Sequence, residues 1–315
     1  MRVSIAMCTF NGAQYLQPQL DSIVSQDRVP DELVVVDDGS TDATISLIEQ
    51  FASQVSFPVH IHRNVEKLGV TANFQKALTL ATGDVIFSSD QDDVWGSQKV
   101  TRMLRHFEDP RTVVVACNAA LVDGDLKSLG CDLWGKIGFD ERQRARARND
   151  EAFDVLVERN FVAGMAMAIR RSFLEVTTPF PKVWMYDGWI ALIAAAQSGV
   201  RFEDAPLVQY RLHGKNHVGV RQLSFFDKLK FAWELPRAEL LLRAEQMDAL
   251  VRRLSGQISL PRLRALAGRA AHYRARVHMP LFRRRRVGVI AKELLEGRYH
   301  AYSHGTSAAI RDLIR

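Results

Sequence analysis

Three cysteines in 315 residues are too few and too scattered for a disulfide framework, and Cys8, Cys117 and Cys131 lack the spacing of a zinc site. Free thiols of this kind fit a reducing cytoplasm. Long apolar runs are also missing. Residues 113–122 and 189–196 are the longest, well short of the roughly 18 to 20 that span a bilayer. Nothing at the start reads as a signal peptide, because the apolar stretch from Val3 to Phe10 runs straight into Asn11-Gly12. The Gly-x-Gly-x-x-Gly turn of a dinucleotide oxidoreductase is absent; only Gly12 follows the first strand-like run. Val36 stands where a phosphatase of the haloacid dehalogenase type needs its nucleophilic aspartate. No recognition motif for nucleic acid accompanies the basic charge, so no nucleic-acid partner is expected.

What the chain does contain is enough apolar material, 47% of residues, to bury a sizeable core. Its net charge of +6 is split unevenly. Residues 221–315 hold 20 Lys+Arg against 8 Asp+Glu, whereas residues 1–220 hold 22 against 28. This contrast places a boundary near residue 220, with an acidic body at 1–220 and a basic tail at 221–315. The tail reads as helical from Phe225 to Leu254 and again after Pro261, with Arg283-Arg284-Arg285-Arg286 as an interruption. Basic charge beside apolar helices suits an anionic membrane surface, so peripheral contact at the inner face of the cell membrane is expected of this region.

The body repeats one pattern. Val3 to Cys8, Leu33 to Val36 and Val59 to His62 read as strands, each followed by a polar loop and a helix, at 13–25, 43–51 and 71–81. Such repeats predict a doubly wound α/β sheet, whose ligands lie outside the carboxyl ends of the strands. Thr9, Asp37, Asp38, Asn64 and the tetrad Asp90-Gln91-Asp92-Asp93 all fall there. By alternation along a strand, Asp90 and Asp92 share one side, a pairing that suits Mg²⁺ or Mn²⁺ bridging a diphosphate. Asp37 to Ser40 taken alone is a turn before a capped helix. Two carboxylates after four apolar residues also put charge at a core edge, where an acid accepts the ring N–H of a base and a ribose hydroxyl. Lys67 and Asn73 would face that pocket.

Taken in order, the segments Cys8-Thr9-Phe10-Asn11-Gly12, Val35 to Asp42, Asn64 to Gly69 and Ser89 to Trp95 resemble family 2 glycosyltransferases with the GT-A fold, over residues 1 to 220. The resemblance implies a mixed sheet flanked by helices, a nucleoside-diphosphate-sugar donor, a divalent cation and inversion at the anomeric carbon. It implies that Thr9, Phe10 and Asn11 line the donor site, that Asp38 contacts the base with Asp37 in support, that Asp90 approaches ribose or metal, and that Asp92 is a metal ligand. In Met185 to Trp189 it makes Asp187 the catalytic base, a residue that could equally cap the helix 188–196. Residues 160–171 read as one strand crossing the core, with Gly164 allowing close approach. Tyr210 to Gly219 is similar to a donor-closing segment of the rhamnosyltransferase-like branch, with His213 at diphosphate or metal and with Arg211 and Lys215 neutralising phosphate. The Gln-x-x-Arg-Trp motif of processive synthases is absent. Transfer of one sugar, from dTDP-rhamnose or a UDP-hexose to a lipid-linked or cell-surface glycan precursor, is therefore expected. The alternatives are a sugar nucleotidyltransferase and a non-catalytic, membrane-associated nucleotide-sugar-binding protein.

Overall fold

The computed structural model describes residues 1–213, 237–280 and 282–314. Lys215, the rest of the segment up to Gly219, and residues 225–236 of the expected helix lie outside the described residues. The chain divides into two compact units, residues 1–220 and 221–315.

Strand and helix alternate through the first unit as β1 (Val3–Thr9), α1 (Ala13–Val24), β2 (Glu32–Asp37), α2 (Thr44–Ala52), β3 (Val59–Arg63), α3 (Val70–Leu80) and β4 (Val85–Ser89). These four strands run parallel, β1 lying between β2 and β4. Every residue of β2 is buried, as expected of a strand covered on both faces. Then come β5 (Val94–Trp95), α4 (Lys99–His106), β6 (Val114–Val122), β7 (Ser128–Asp132), α5 (Leu133–Ile137), α6 (Glu141–Arg146), α7 (Ala152–Glu158), β8 (Met167–Arg170), α8 (Arg171–Thr177), α9 (Tyr186–Ala196) and β9 (Val200–Arg211). The strand order is β3-β2-β1-β4-β8-β6-β9-β5, with β7 on β6. Antiparallel β8 between β4 and β6 makes the sheet mixed. Thr9 lies opposite Asp37 and Met7 opposite Ser89, so β1, β2 and β4 deliver their following loops to one edge.

Two local expectations change. The stretch 160–171 is not one strand: Gly164–Ala166 forms a 3₁₀ turn, and only Met167–Arg170 is extended. Tyr186 accounts for the glycine, because a Cβ at position 164 would lie 2.0 Å from its hydroxyl. Asp187 is not the cap of α9 either. The helix begins at Tyr186, placing Asp187 in its first turn.

The second unit is helical: α10 (Arg237–Leu254), α11 (Leu260–Val277), α12 (Arg283–Leu295), α13 (Arg298–Tyr302) and α14 (Gly305–Ile314). The arginine run opens α12 and does not interrupt a helix. Part of the basic charge is turned inward. The largely covered side chain of Arg276 pairs with Asp312 at 2.7 Å, and fully buried His272 bridges Glu293 (2.7 Å) and Ser303 (2.9 Å). No helix among the described residues is long and apolar enough to cross a membrane.

Candidate active site

The loop after β1 is stitched to the loop after β2. Thr9 Oγ1 donates to Asp37 Oδ1 (2.8 Å), and Asp37 also accepts from Ser40 Oγ (2.5 Å), Ser40 N (2.8 Å) and Gly39 N (3.1 Å). Asn11 holds the same turn: its N–H donates to Ser40 Oγ and its Oδ1 accepts from Thr41 N, both at 2.8 Å. Gln91 reaches across from the acidic tetrad and clamps the Phe10 backbone, accepting from its N–H (2.9 Å) and donating to its carbonyl (3.0 Å). Gly12 makes room for this, since a Cβ there would lie 2.1 Å from Gln91 Oε1. The side chains of Thr9, Asn11 and Asp37 thus frame the loops, and Asp37 has no exposed surface.

Asp38 holds the next loop. Its Oδ1 accepts from Leu68 N (2.7 Å) and Asn64 Nδ2 (2.9 Å), and its Oδ2 from Gly69 N (2.9 Å). Burial raises the Asp38 pKa, but these bonds and the Lys67 charge outweigh it and hold the carboxyl below its ordinary value. Asn73 is another framing residue: buried, it donates to the Val36 carbonyl (2.9 Å) and accepts from Asn64 (2.7 Å). Lys67 and Phe10 stay at the surface together, the ammonium 3.4 Å from the ring centroid.

Past Ser89 the chain bends, so strand alternation no longer decides which carboxylates meet. Asp90, Asp92 and Asp93 each offer an oxygen within 4.8 Å of the others. Asp93 was missing from the expected pair. Its Oδ1 accepts from Arg211 N (3.1 Å), and its buried Oδ2 has no hydrogen-bond partner among the described residues. Burial, then Asp92 and Asp187, push Asp90 up to about 7. Burial with Asp92 and Asp90 raises Asp93 as well. A compact set of hard oxygen donors, mutually repelling and including an orphaned buried oxygen, fits Mg²⁺ or Mn²⁺. His213 Nε2 lies 2.8 Å from Asp92 Oδ2, its ring stacked on Tyr15 at 4.6 Å. Arg211 departs from expectation. Its guanidinium is a strut under the tetrad, bonded to the carbonyls of Asp92 (2.8 Å) and Gly124 (2.6 Å), rather than a group extended toward phosphate.

Asp187 accepts from Gly188 N (2.6 Å) and Gly164 N (3.0 Å). Burial lifts its pKa to about 6 against the pull of these N–H groups. Its charge is felt at Asp90, and the Cys8 thiol is raised by burial first and then by the charges of Asp90 and Asp38. Beneath the cluster Lys99 is fully buried, donating to the Met165 carbonyl (2.7 Å) and 3.5 Å from the Trp95 ring centroid. Burial lowers its pKa to about 7, opposed by Cys117, Asp93 and Asp90. The carboxylates that follow β2 and β4, two strand ends, and the one at the start of α9 therefore border one region.

The family model described as glycosyl transferase family 2 matches residues 4–176, more than half of the chain. The chain belongs to this family. A dTDP-rhamnosyl transferase, RfbG of Shigella flexneri, is 38% identical over 100 residues, covering 30% of this chain and 34% of that protein. An uncharacterised glycosyltransferase of Nostoc is 28% identical over 224 residues, 69% of this chain and 66% of that protein. The chain thus matches a little under two thirds, or less, of the length of these relatives. In fold it resembles residues 1–349 of S. aureus TarS, solved with UDP-GlcNAc, at TM-score 0.62 and 14% identity, covering 99% of this chain and 89% of that one. The mixed sheet flanked by helices is the GT-A architecture of family 2 transferases.

Within this family 2 chain, sequence reasoning named Asp93 and Gln91 in the tetrad without giving either a role, and did not single out Lys99. The signals were thin. Asp93 follows Asp92 directly and would point away in an extended strand, whereas Lys99 at the start of a charged helix reads as solvated.

Proposed function

We propose that the protein is an inverting, metal-dependent glycosyltransferase that moves a single sugar from a nucleoside-diphosphate sugar to a hydroxyl of a lipid-linked or cell-surface glycan precursor. The observation that carries this reading is the meeting of the Asp90, Asp92 and Asp93 oxygens within 4.8 Å, with Asp187 close enough to raise Asp90. Asp90, Asp92 and Asp93 would hold the cation, with His213 against Asp92. When bound, that cation supplies neutralising charge to the departing diphosphate. Asp187, with a pKa of about 6, is ionised at neutral pH and suited to take the acceptor proton. In the step itself the acceptor oxygen bonds to the anomeric carbon, the bond to the diphosphate breaks, and the proton passes to Asp187. Among the described residues Asp38 Oδ2 accepts one hydrogen bond, and it has capacity for a base N–H. Phe10 offers a ring at the rim. The rhamnosyl transferase relative favours dTDP-rhamnose, with UDP-hexoses next.

The test is a hydrolysis and thermal-shift panel of dTDP-rhamnose, UDP-glucose and UDP-GlcNAc with and without Mn²⁺, repeated with Asp187→Asn. Mn²⁺-dependent turnover is expected, and Asp187→Asn should keep binding and lose turnover. Turnover by that variant at the wild-type rate would reject Asp187 as the base.

A further inference from the structure

A lysine with no exposed surface is costly, because the charge of its ammonium must be matched inside the protein. Lys99 is matched on three sides: the Met165 carbonyl at 2.7 Å, the Trp95 ring at 3.5 Å, and the charges of Asp90 and Asp93. Trp95 lies two residues beyond the acidic tetrad, so this side of the lysine belongs to the cation-binding segment. Met165 belongs elsewhere. It is the middle residue of the 3₁₀ turn Gly164–Ala166, and that turn donates the Gly164 N–H to Asp187. Ser88, at the end of β4, grips the same turn through the Gly164 carbonyl at 2.5 Å. The turn also abuts Tyr186, which leaves no room for a Cβ at residue 164. The turn is thus held by Lys99 at the Met165 carbonyl, by Ser88 at the Gly164 carbonyl, by Asp187 at the Gly164 N–H and by the Tyr186 hydroxyl packed against Gly164.

We infer that Lys99 is a positioning residue that fixes the spacing between the cation-binding carboxylates and Asp187 by holding the Met165 carbonyl. It touches neither donor nor acceptor. Its effect reaches the reaction through the Gly164–Ala166 turn, and the inference rests on the reading of Asp187 as the base. A carboxylate displaced by a fraction of an ångström still binds nothing less well, but it meets the acceptor proton at the wrong distance. Displacements on the order of 1 Å cost about 100-fold in rate.

The decisive variant is Lys99→Met, which keeps the length against Trp95 and removes donor and charge. It would be assayed with whichever of dTDP-rhamnose, UDP-glucose and UDP-GlcNAc the unaltered protein hydrolyses fastest, alongside calorimetric titration of Mn²⁺ in the presence of UDP. The expected result is kcat lowered by roughly 10- to 100-fold with KM and Mn²⁺ affinity changed less than about threefold. The acid limb of kcat should also move to higher pH, because Asp187 loses support from the Gly164 N–H. Wild-type kcat would overturn the inference. So would a loss of Mn²⁺ affinity equal to the loss of kcat, which would make Lys99 a counter-charge only. Should Lys99→Met fail to fold, Lys99→Gln decides, since it removes the charge and its amide is one bond too short to reach the Met165 carbonyl as Nζ does: lowered kcat with retained Mn²⁺ affinity supports positioning, and wild-type kcat rejects it. Failure of both to fold would make Lys99 a core residue alone and overturn the inference. Asp187→Asn separates the two levels, since an active Asp187→Asn removes the base itself, whereas an inactive one beside an unaffected Lys99→Met removes only the role of Lys99.

Discussion

Asp92 divides its carboxylate between His213, 2.8 Å away, and the cluster it shares with Asp90 and Asp93. Replacing it by Asn keeps the shape and removes a charge, so Asp92→Asn should abolish Mn²⁺-dependent UDP binding in calorimetry; binding that persists would remove Asp92 from the metal ligands. Asp187 makes a different prediction. With a pKa of about 6, its ionised fraction falls tenfold for each unit of pH well below that value, and kcat should fall in step. A pH profile flat from 7 down to 5 would contradict this. Asp92 was legible as part of the acidic tetrad that closes a strand-like run, and Asp187 only through the resemblance to family 2 glycosyltransferases. The role of Asp93 was not, since its burial depends on the bend after Ser89 and on Arg211, 118 residues away.

Among the elements, the parallel strands were the easiest to read. Aliphatic runs such as Leu33 to Val36 can only be covered on both faces. The Gly164–Ala166 turn was hidden, because its reason is the Tyr186 hydroxyl, contributed by another helix. The helices of the second unit were legible as helices but not as a packed body. There the buried pair His272 and Glu293 links α11 to α12. Burial lowers the His272 pKa, against the pull of Glu293, so the folded form takes up a proton less readily than the unfolded chain. The sign follows: stability of this unit is fully present above about pH 6.5 and drains away as the pH falls from there through the lower folded value. Thermal melts should move down between pH 7 and pH 5, and His272→Gln should flatten that dependence. An equal pH dependence in the variant would clear His272 of the effect.

For the whole molecule, the basic tail matters through its outward charge and not its total. Arg276 and Arg286 are turned inward and spent on internal partners, whereas Arg285 and Lys292 are exposed on one face of α12 together with Leu295. If this face meets anionic lipid, Arg285→Glu with Lys292→Glu should reduce sedimentation with phosphatidylserine vesicles severalfold at low salt, at roughly 1 kcal/mol per charge lost near the surface. Unchanged sedimentation would make the tail purely structural. Point changes are cleaner than truncation, which would strip His272 of Glu293 and Ser303.

The loop from Asn64 to Gly69 already supplies three donors to Asp38. An arriving nucleobase therefore finds a carboxylate that is nearly content, and adds one contact instead of rescuing a bare charge. Free nucleosides should consequently cling weakly, and most of the grip on a sugar nucleotide must be exerted at its pyrophosphate.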